Sequence, residues 1–174
     1  MKYCLVLLLI LIGSFNLFAQ DTSNSLKIKS ISAGFGVCAG ENNDGGFCLG
    51  IDFTTYYKKN LFSVSGSTGS EFEIFDAIRE YREIGLLYGR QIITTKVFKT
   101  EVHIGASIFN ETIKTGETNF KEVNSNVIAF PIKIKFLFYT SKNFALGLNP
   151  NALLNSKNII ITGNLLFQYN FKTF

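Results

Sequence analysis

Apolar and polar residues alternate through most of the chain beyond residue 27. Between Ile128 and Phe138 the even positions are all apolar, whereas Lys133 and Lys135 stand at odd positions. The preceding segment, 98–109, repeats the same two-residue period. This period predicts β-strands that present one apolar face and one polar face.

Clusters of Gly, Asn, Asp, Ser and Lys divide the chain into eight predicted strands. Their expected ranges are 28–39, 46–57, 61–71, 82–92, 96–109, 127–139, 143–154 and 158–172. Three connections are tight and contain lysine, whereas 72–81 and 110–126 are expected to be long polar loops. An even number of strands with short turns at one end and long loops at the other is typical of a transmembrane barrel. We therefore predict an all-β fold: an eight-stranded antiparallel up-and-down transmembrane β-barrel with short periplasmic turns and longer extracellular loops.

The position of the aromatic residues decides which face of the barrel is outside. Alternation alone does not, because a soluble lipocalin-like barrel places its apolar face inside. Six aromatic residues of the apolar set lie beside the short turns, as expected of a lipid-facing girdle at a membrane interface. They are Tyr57, Phe62, Phe98, Phe138, Phe144 and Phe171. A soluble secreted or periplasmic barrel that binds an apolar ligand stays open as the alternative.

An outward apolar face places five charged or titratable side chains in the lumen. They are Lys99, Glu101, His103, Lys133 and Lys135. A hairpin centred on Thr118 would set Glu101 opposite Lys135 and His103 opposite Lys133. Because an unpaired buried charge costs several kcal/mol, we expect these groups to form a polar network that fills the lumen. Eight strands leave an interior just wide enough for side chains, so a porin-like channel is not expected.

The N-terminal segment has the anatomy of a secretory signal peptide. Lys2 precedes an apolar run from Leu5 to Ile12, which is shorter than the roughly 20 residues that a membrane-spanning helix needs. We predict a cleaved signal peptide at 1–19 and a barrel domain at 20–174. Cleavage leaves 16 basic against 13 acidic residues, a net charge of +3. So weak and scattered a charge does not indicate nucleic-acid binding.

Two cysteines, Cys38 and Cys48, would survive cleavage and enter an oxidising compartment. They flank the turn-forming segment 40–46. If the hairpin is centred near Asn43, the cysteines face one another across the ladder, and we hypothesise a disulfide. Two free, buried thiols are the alternative.

The aromatic-rich C-terminal segment 164–174 and the segments 130–136 and 142–148 resemble the small outer-membrane β-barrel domain family of Gram-negative bacteria. In that family the last strand is recognised by the outer-membrane assembly machinery. Here the apolar series runs to Phe171, and Phe174 falls on the other parity. The resemblance implies insertion into outer-membrane lipid with the help of that machinery.

No catalytic, metal-binding or cofactor-binding signature is apparent. His103 is the single histidine, and Ser107, the nearest hydroxyl on its face, is about 13 Å away along an extended strand. One histidine and two cysteines make no metal-ligand set. We therefore expect a non-enzymatic barrel with a structural role or a surface role toward an extracellular protein or glycan, and no cofactor. A lipid-modifying outer-membrane hydrolase is the minor alternative.

Overall fold

Eight antiparallel strands form a closed barrel in which each strand pairs with its sequence neighbours and the last pairs with the first. The computed structural model describes residues 26–40, 45–71, 77–115 and 121–171. The strands are β1 Lys27–Ala39, β2 Gly45–Tyr57, β3 Asn60–Glu71, β4 Ala77–Thr94, β5 Phe98–Thr115, β6 Lys121–Tyr139, β7 Phe144–Asn155 and β8 Ile159–Asn170. The predicted eight-stranded up-and-down barrel is confirmed. Among the described residues, no helix is long and apolar enough to cross a membrane.

Apolar side chains cover the outer wall of the barrel, whereas polar side chains and two smaller apolar clusters fill the lumen. Along β2, Phe47 and Leu49 are 65% and 59% exposed, whereas Asp52 and Thr54 are buried. The same alternation continues around the barrel, and the lumen contains Glu101 with no exposed surface. A water-soluble barrel would bury its apolar face, so the lipocalin-like alternative is not favoured.

Two prolines interrupt the hydrogen-bonded ladders without shifting their register. The pairing of β5 with β6 stops at Ile132, opposite Ile104, and resumes at Ala129, so it skips Pro131. The pairing of β6 with β7 similarly skips Pro150. Because proline has no N–H to donate, each one removes a bond from the ladder on one side only.

Strands β4, β5 and β6 are longer than predicted. Half of the segment 72–81 and most of the segment 110–126, both expected as loops, are strand, because β4 begins at Ala77, β5 extends to Thr115 and β6 begins at Lys121. The prediction of long loops is wrong there, and only 72–76 and 116–120 lie outside the described residues. We call residues 110–115 and 121–126 the outer hairpin.

Polar cross-strand pairs explain the outer hairpin. The side chain of Asn110 donates to the Oδ1 atom of Asn126 at 2.8 Å, and Thr112 donates to Asn124 at 2.6 Å. Both pairs are directly opposite in the β5–β6 register. Such pairs stabilise a sheet without an apolar face, so the segment lacks the alternation by which a strand is predicted.

The other end of the barrel carries tight turns at 58–59, 95–97 and 140–143. The described termini, at Leu26 and Phe171, also lie there, because β1 begins and β8 ends at this end. We call it the short-turn end. The prediction that these three tight turns lie together at one end of the barrel is therefore correct.

Candidate functional site

Two lysines of β6 share one carboxylate at the centre of the lumen. The Nζ atom of Lys133 lies 3.0 Å from Oδ1 of Asp52, and Nζ of Lys135 lies 2.8 Å from Oδ2. All three side chains are at most 5% exposed. Lys133 also donates to Ser65, and Lys135 to Ser32. Each ammonium therefore has a charge partner and a hydroxyl partner, which offsets its loss of hydration.

Glu101 forms the second ionic centre of the lumen. Its Oε1 atom contacts Nζ of Lys29 and accepts a hydrogen bond from the side chain of Gln91 at 3.2 Å. Lys29 reaches the lumen because a register shift between Ile28 and Ser30 interrupts the alternation of β1. A bulge of this kind redirects one side chain to the other face of a strand.

The predicted register of β5 and β6 is confirmed, whereas the ion pairs differ from those expected. Glu101 lies opposite Lys135 and His103 opposite Lys133 in the ladder. Both lysines nevertheless extend across the lumen to Asp52, and Glu101 pairs with Lys29. The sequence did not identify Asp52 as the shared anion, because its lysine partners lie 81 or more residues away along the chain.

His103 lies between a carboxylate and a hydroxyl. Its Nε2 atom is 3.4 Å from Oε2 of Glu101, and its Nδ1 atom is 3.4 Å from Oγ of Ser63. A serine, a histidine and a carboxylate in this order are the components of a hydrolytic triad. Here Ser63, His103 and Glu101 are only 5%, 1% and 0% exposed, so a substrate does not reach the hydroxyl in this structure. Ser63 belongs to β3, so the predicted pairing of β5 with β6 did not indicate its contact with His103.

Lys99 is the one predicted lumen residue that lies outside the ionic network. Its Nζ atom is 4.5 Å from the ring centroid of Tyr139, in a cation–π contact. It lines a cavity of about 480 Å³ that opens at the short-turn end, together with Lys29, Gln91 and Asn170. We call this cavity the vestibule.

The central lumen, by contrast, is nearly filled. A void of about 20 Å³ is lined by Asp52 and Lys133 and by the amides of Asn149 and Asn151. That volume holds about one water molecule. The contacts described above thus plug the middle of the barrel with side chains.

Cys38 and Cys48 are buried in the structure, and their sulfur atoms are not joined in a disulfide. The register centres the hairpin one residue before Asn43, because Cys38 lies opposite Gly46 and Cys48 opposite Gly36. The expectation that the cysteines face each other directly is therefore wrong, although they share the lumen face as diagonal neighbours. The Sγ atom of Cys48 lies 3.0 Å from Oδ1 of Asn164. The disulfide stays a prediction.

The six predicted girdle residues lie at the short-turn end and are at least partly exposed. Phe62, Phe138, Phe144 and Phe171 are 43%, 51%, 57% and 39% exposed, and Tyr57 and Phe98 are partly exposed. The rings associate in neighbouring pairs, and the centroids of Phe98 and Phe138 are 4.9 Å apart. Exposed aromatic rings gathered at one end of a barrel are typical of a girdle at a membrane interface. The contact of these rings with lipid stays a prediction.

Comparison with solved structures gives the same fold. Neisserial surface protein A is 10% identical, with a TM-score of 0.66 over 87% of this chain and 100% of that chain. Ail, the attachment invasion locus protein of Yersinia pestis, is 14% identical, with a TM-score of 0.55 over 83% and 99%. The outer membrane enzyme PagL is 13% identical, with a TM-score of 0.50 over 82% and 99%. No protein-family model and no curated protein sequence matches the chain. The chain therefore has the fold of small eight-stranded outer-membrane β-barrels.

Proposed function

We propose that the chain is an integral outer-membrane β-barrel, exported with the cleaved signal peptide 1–19, whose role is structural and surface-interacting and not enzymatic. The observation that carries the proposal is the inverted barrel: Phe47 and Leu49 are exposed on the wall, whereas Glu101 and Lys135 are buried inside. This distribution is stable only where the wall contacts an apolar medium. In the membrane, the short-turn end faces the periplasm and the outer hairpin faces the outside of the cell.

The plugged centre supports a structural role over a conducting one. Lys133 and Lys135 hold Asp52 from opposite sides of its carboxylate, and the neighbouring void has room for about one water. An ion crossing the barrel would have to break these pairs, which is energetically costly in a site without bulk water.

The outer hairpin supports the surface role. Pairing of β6 with β7 begins at Ala129, so β7 does not pair with the part of β6 that belongs to the outer hairpin. Val123 on this part of β6 is 49% exposed. A strand edge that carries an exposed apolar side chain is a template for a partner strand. We therefore favour an extracellular protein over a glycan as the partner.

Fractionation and gel mobility test membrane integration. The protein is expected to stay in the outer-membrane fraction after a high-salt wash, and the unboiled sample is expected to migrate faster than the boiled one because a closed barrel stays compact in detergent. A protein that salt removes and that shows no such shift would contradict the proposal.

Trimming the outer hairpin separates the surface role from barrel formation. Glu111 lies opposite Ser125, so residues 112–124 can be replaced by an Asn-Gly turn. The trimmed barrel is expected to keep the gel shift and to lose adhesion of the bacteria to host or neighbouring cells. Unchanged adhesion would reject the outer hairpin as the contact surface.

A hydrolase is the second candidate, favoured by the order Ser63, His103, Glu101 and by a fold shared with the enzyme PagL. The burial of Ser63 argues against it. Turnover of phospholipid or lipid A by the purified barrel, abolished in Ser63→Ala, would establish the enzyme; no turnover supports the non-enzymatic role.

A further inference from the structure

The vestibule has an unusual charge. Of the described residues that line it, five are lysines and none is a carboxylate; the lysines are Lys29, Lys58, Lys59, Lys99 and Lys142. They come from β1, β5 and two of the tight turns. Like charges gathered around one cavity repel each other, so their convergence costs free energy unless an anion is present.

Most of these charges are unneutralised. Lys29 pairs with Glu101, but among the described residues no salt bridge involves Lys58, Lys59, Lys99 or Lys142. The Nζ atoms of Lys99 and Lys58 lie instead over the rings of Tyr139 and Tyr57, at 4.5 and 5.4 Å from the centroids. Such contacts orient an ammonium without cancelling its charge.

The turn that carries Lys58 fixes the position of this ammonium. Lys58 and Lys59 form a two-residue turn between the paired residues Tyr57 and Asn60. The φ of Lys58 is 57°, the left-handed conformation that a two-residue hairpin turn requires at this position. The turn sets Lys58 at the mouth of the vestibule.

We propose that the vestibule binds a ligand that carries two or more phosphate groups. Lysines act as separate point charges, which suits several phosphate oxygens better than the planar, two-oxygen contact that arginine makes with a carboxylate. The vestibule also presents the polar side chains of Tyr56, Gln91 and Asn170. Its volume of about 480 Å³ is within the range of small-molecule sites.

Calorimetric titration of the refolded barrel with tripolyphosphate, in a non-ionic detergent, tests this site. One molecule is expected to bind per barrel. Lys99→Gln and Lys142→Gln should each weaken binding by about tenfold, as loss of one close charge contact does. The matched control is Lys96→Gln, because Lys96 is exposed on a tight turn of the same end but does not line the vestibule.

Two results would overturn the proposal. One is that a barrel that shows the gel shift does not bind tripolyphosphate. The other is that Lys96→Gln and Lys99→Gln weaken binding equally, which would indicate diffuse attraction to all the lysines of the short-turn end. Each variant is checked for the gel shift, so a misfolded protein is not counted.

A competition arm identifies the source of the phosphate. If vesicles of cardiolipin, whose headgroup carries two phosphates, and phosphatidylcholine displace tripolyphosphate and vesicles of phosphatidylcholine alone do not, the ligand is a lipid headgroup. If neither displaces it, the site takes a soluble phosphate compound.

Discussion

The carboxylate of Asp52 lies 2.8 Å from the ammonium of Lys135, and the two side chains reach this contact from opposite walls of the barrel. Asp52 belongs to β2 and Lys135 to β6, which are separated by three strands in either direction around the barrel. This ion pair forms only when the sheet closes. The lumen network therefore links closure of the barrel to neutralisation of its charges.

Asp52→Asn is expected to destabilise the barrel by about 3 to 5 kcal/mol, because it leaves the ammoniums of Lys133 and Lys135 buried without a counter-charge. Urea unfolding in lipid vesicles measures the loss. The double variant with Lys135→Met should lose less than Asp52→Asn alone, since one uncompensated charge is removed. A loss below about 1 kcal/mol in Asp52→Asn would show that the network carries little stability.

Glu101 and Lys29 are expected to behave as a coupled pair. Glu101→Gln or Lys29→Met alone leaves the other member of the pair without its partner, whereas the double variant removes both charges of the pair. The double variant should therefore lose less free energy of unfolding than the two single variants lose together, by at least about 1 kcal/mol. Purely additive losses would contradict the assignment of Lys29 to the lumen.

Gly147 is expected to be intolerant of a side chain. A Cβ atom there would collide with the backbone oxygen of Phe136 on the neighbouring strand, whereas a Cβ atom at Gly163 meets nothing within 4 Å. Gly147→Ala should cost about 1 to 3 kcal/mol, as overpacking does, and Gly163→Ala should be nearly neutral. Equal unfolding midpoints for the two variants would be inconsistent with the close approach of β6 and β7.

A bridge between Cys38 and Cys48 would close a short loop and add about 2 to 3 kcal/mol in the loop-entropy model. If it forms after export, thiol titration of denatured, unreduced mature protein is expected to find no free thiol, and prior reduction should reveal two. Two thiols without reduction would reject the bridge and leave the buried thiols as the structure has them.

The barrel could be predicted from the sequence because its wall has a strict two-residue period. Phe47, Leu49 and Ile51 are all exposed as that period requires. The pairing of Glu101 with Lys135 in the ladder followed from the centre of one hairpin. Both are local or nearly local properties of the chain.

Three features could not be read from local pattern. The contact of Lys29 with Glu101 depends on a bulge that changes the parity of β1. The contact of Ser63 with His103 joins β3 to β5 across the intervening β4, and the two residues are 40 positions apart in the sequence. The outer hairpin uses polar pairs such as Thr112 with Asn124, which look like a loop when only hydrophobic alternation is considered.

The central claim is that the apolar wall lies in the acyl region of a membrane. The chain has no tryptophan, so a single introduced one is the sole indole reporter. Leu148, 51% exposed in β7, is replaced by tryptophan, and Lys142→Trp on the nearby turn is the control. In vesicles of phosphatidylcholine brominated on its acyl chains, the account predicts blue-shifted, strongly quenched emission from Leu148→Trp and weak quenching of Lys142→Trp. Red-shifted, unquenched emission from a folded Leu148→Trp would contradict it.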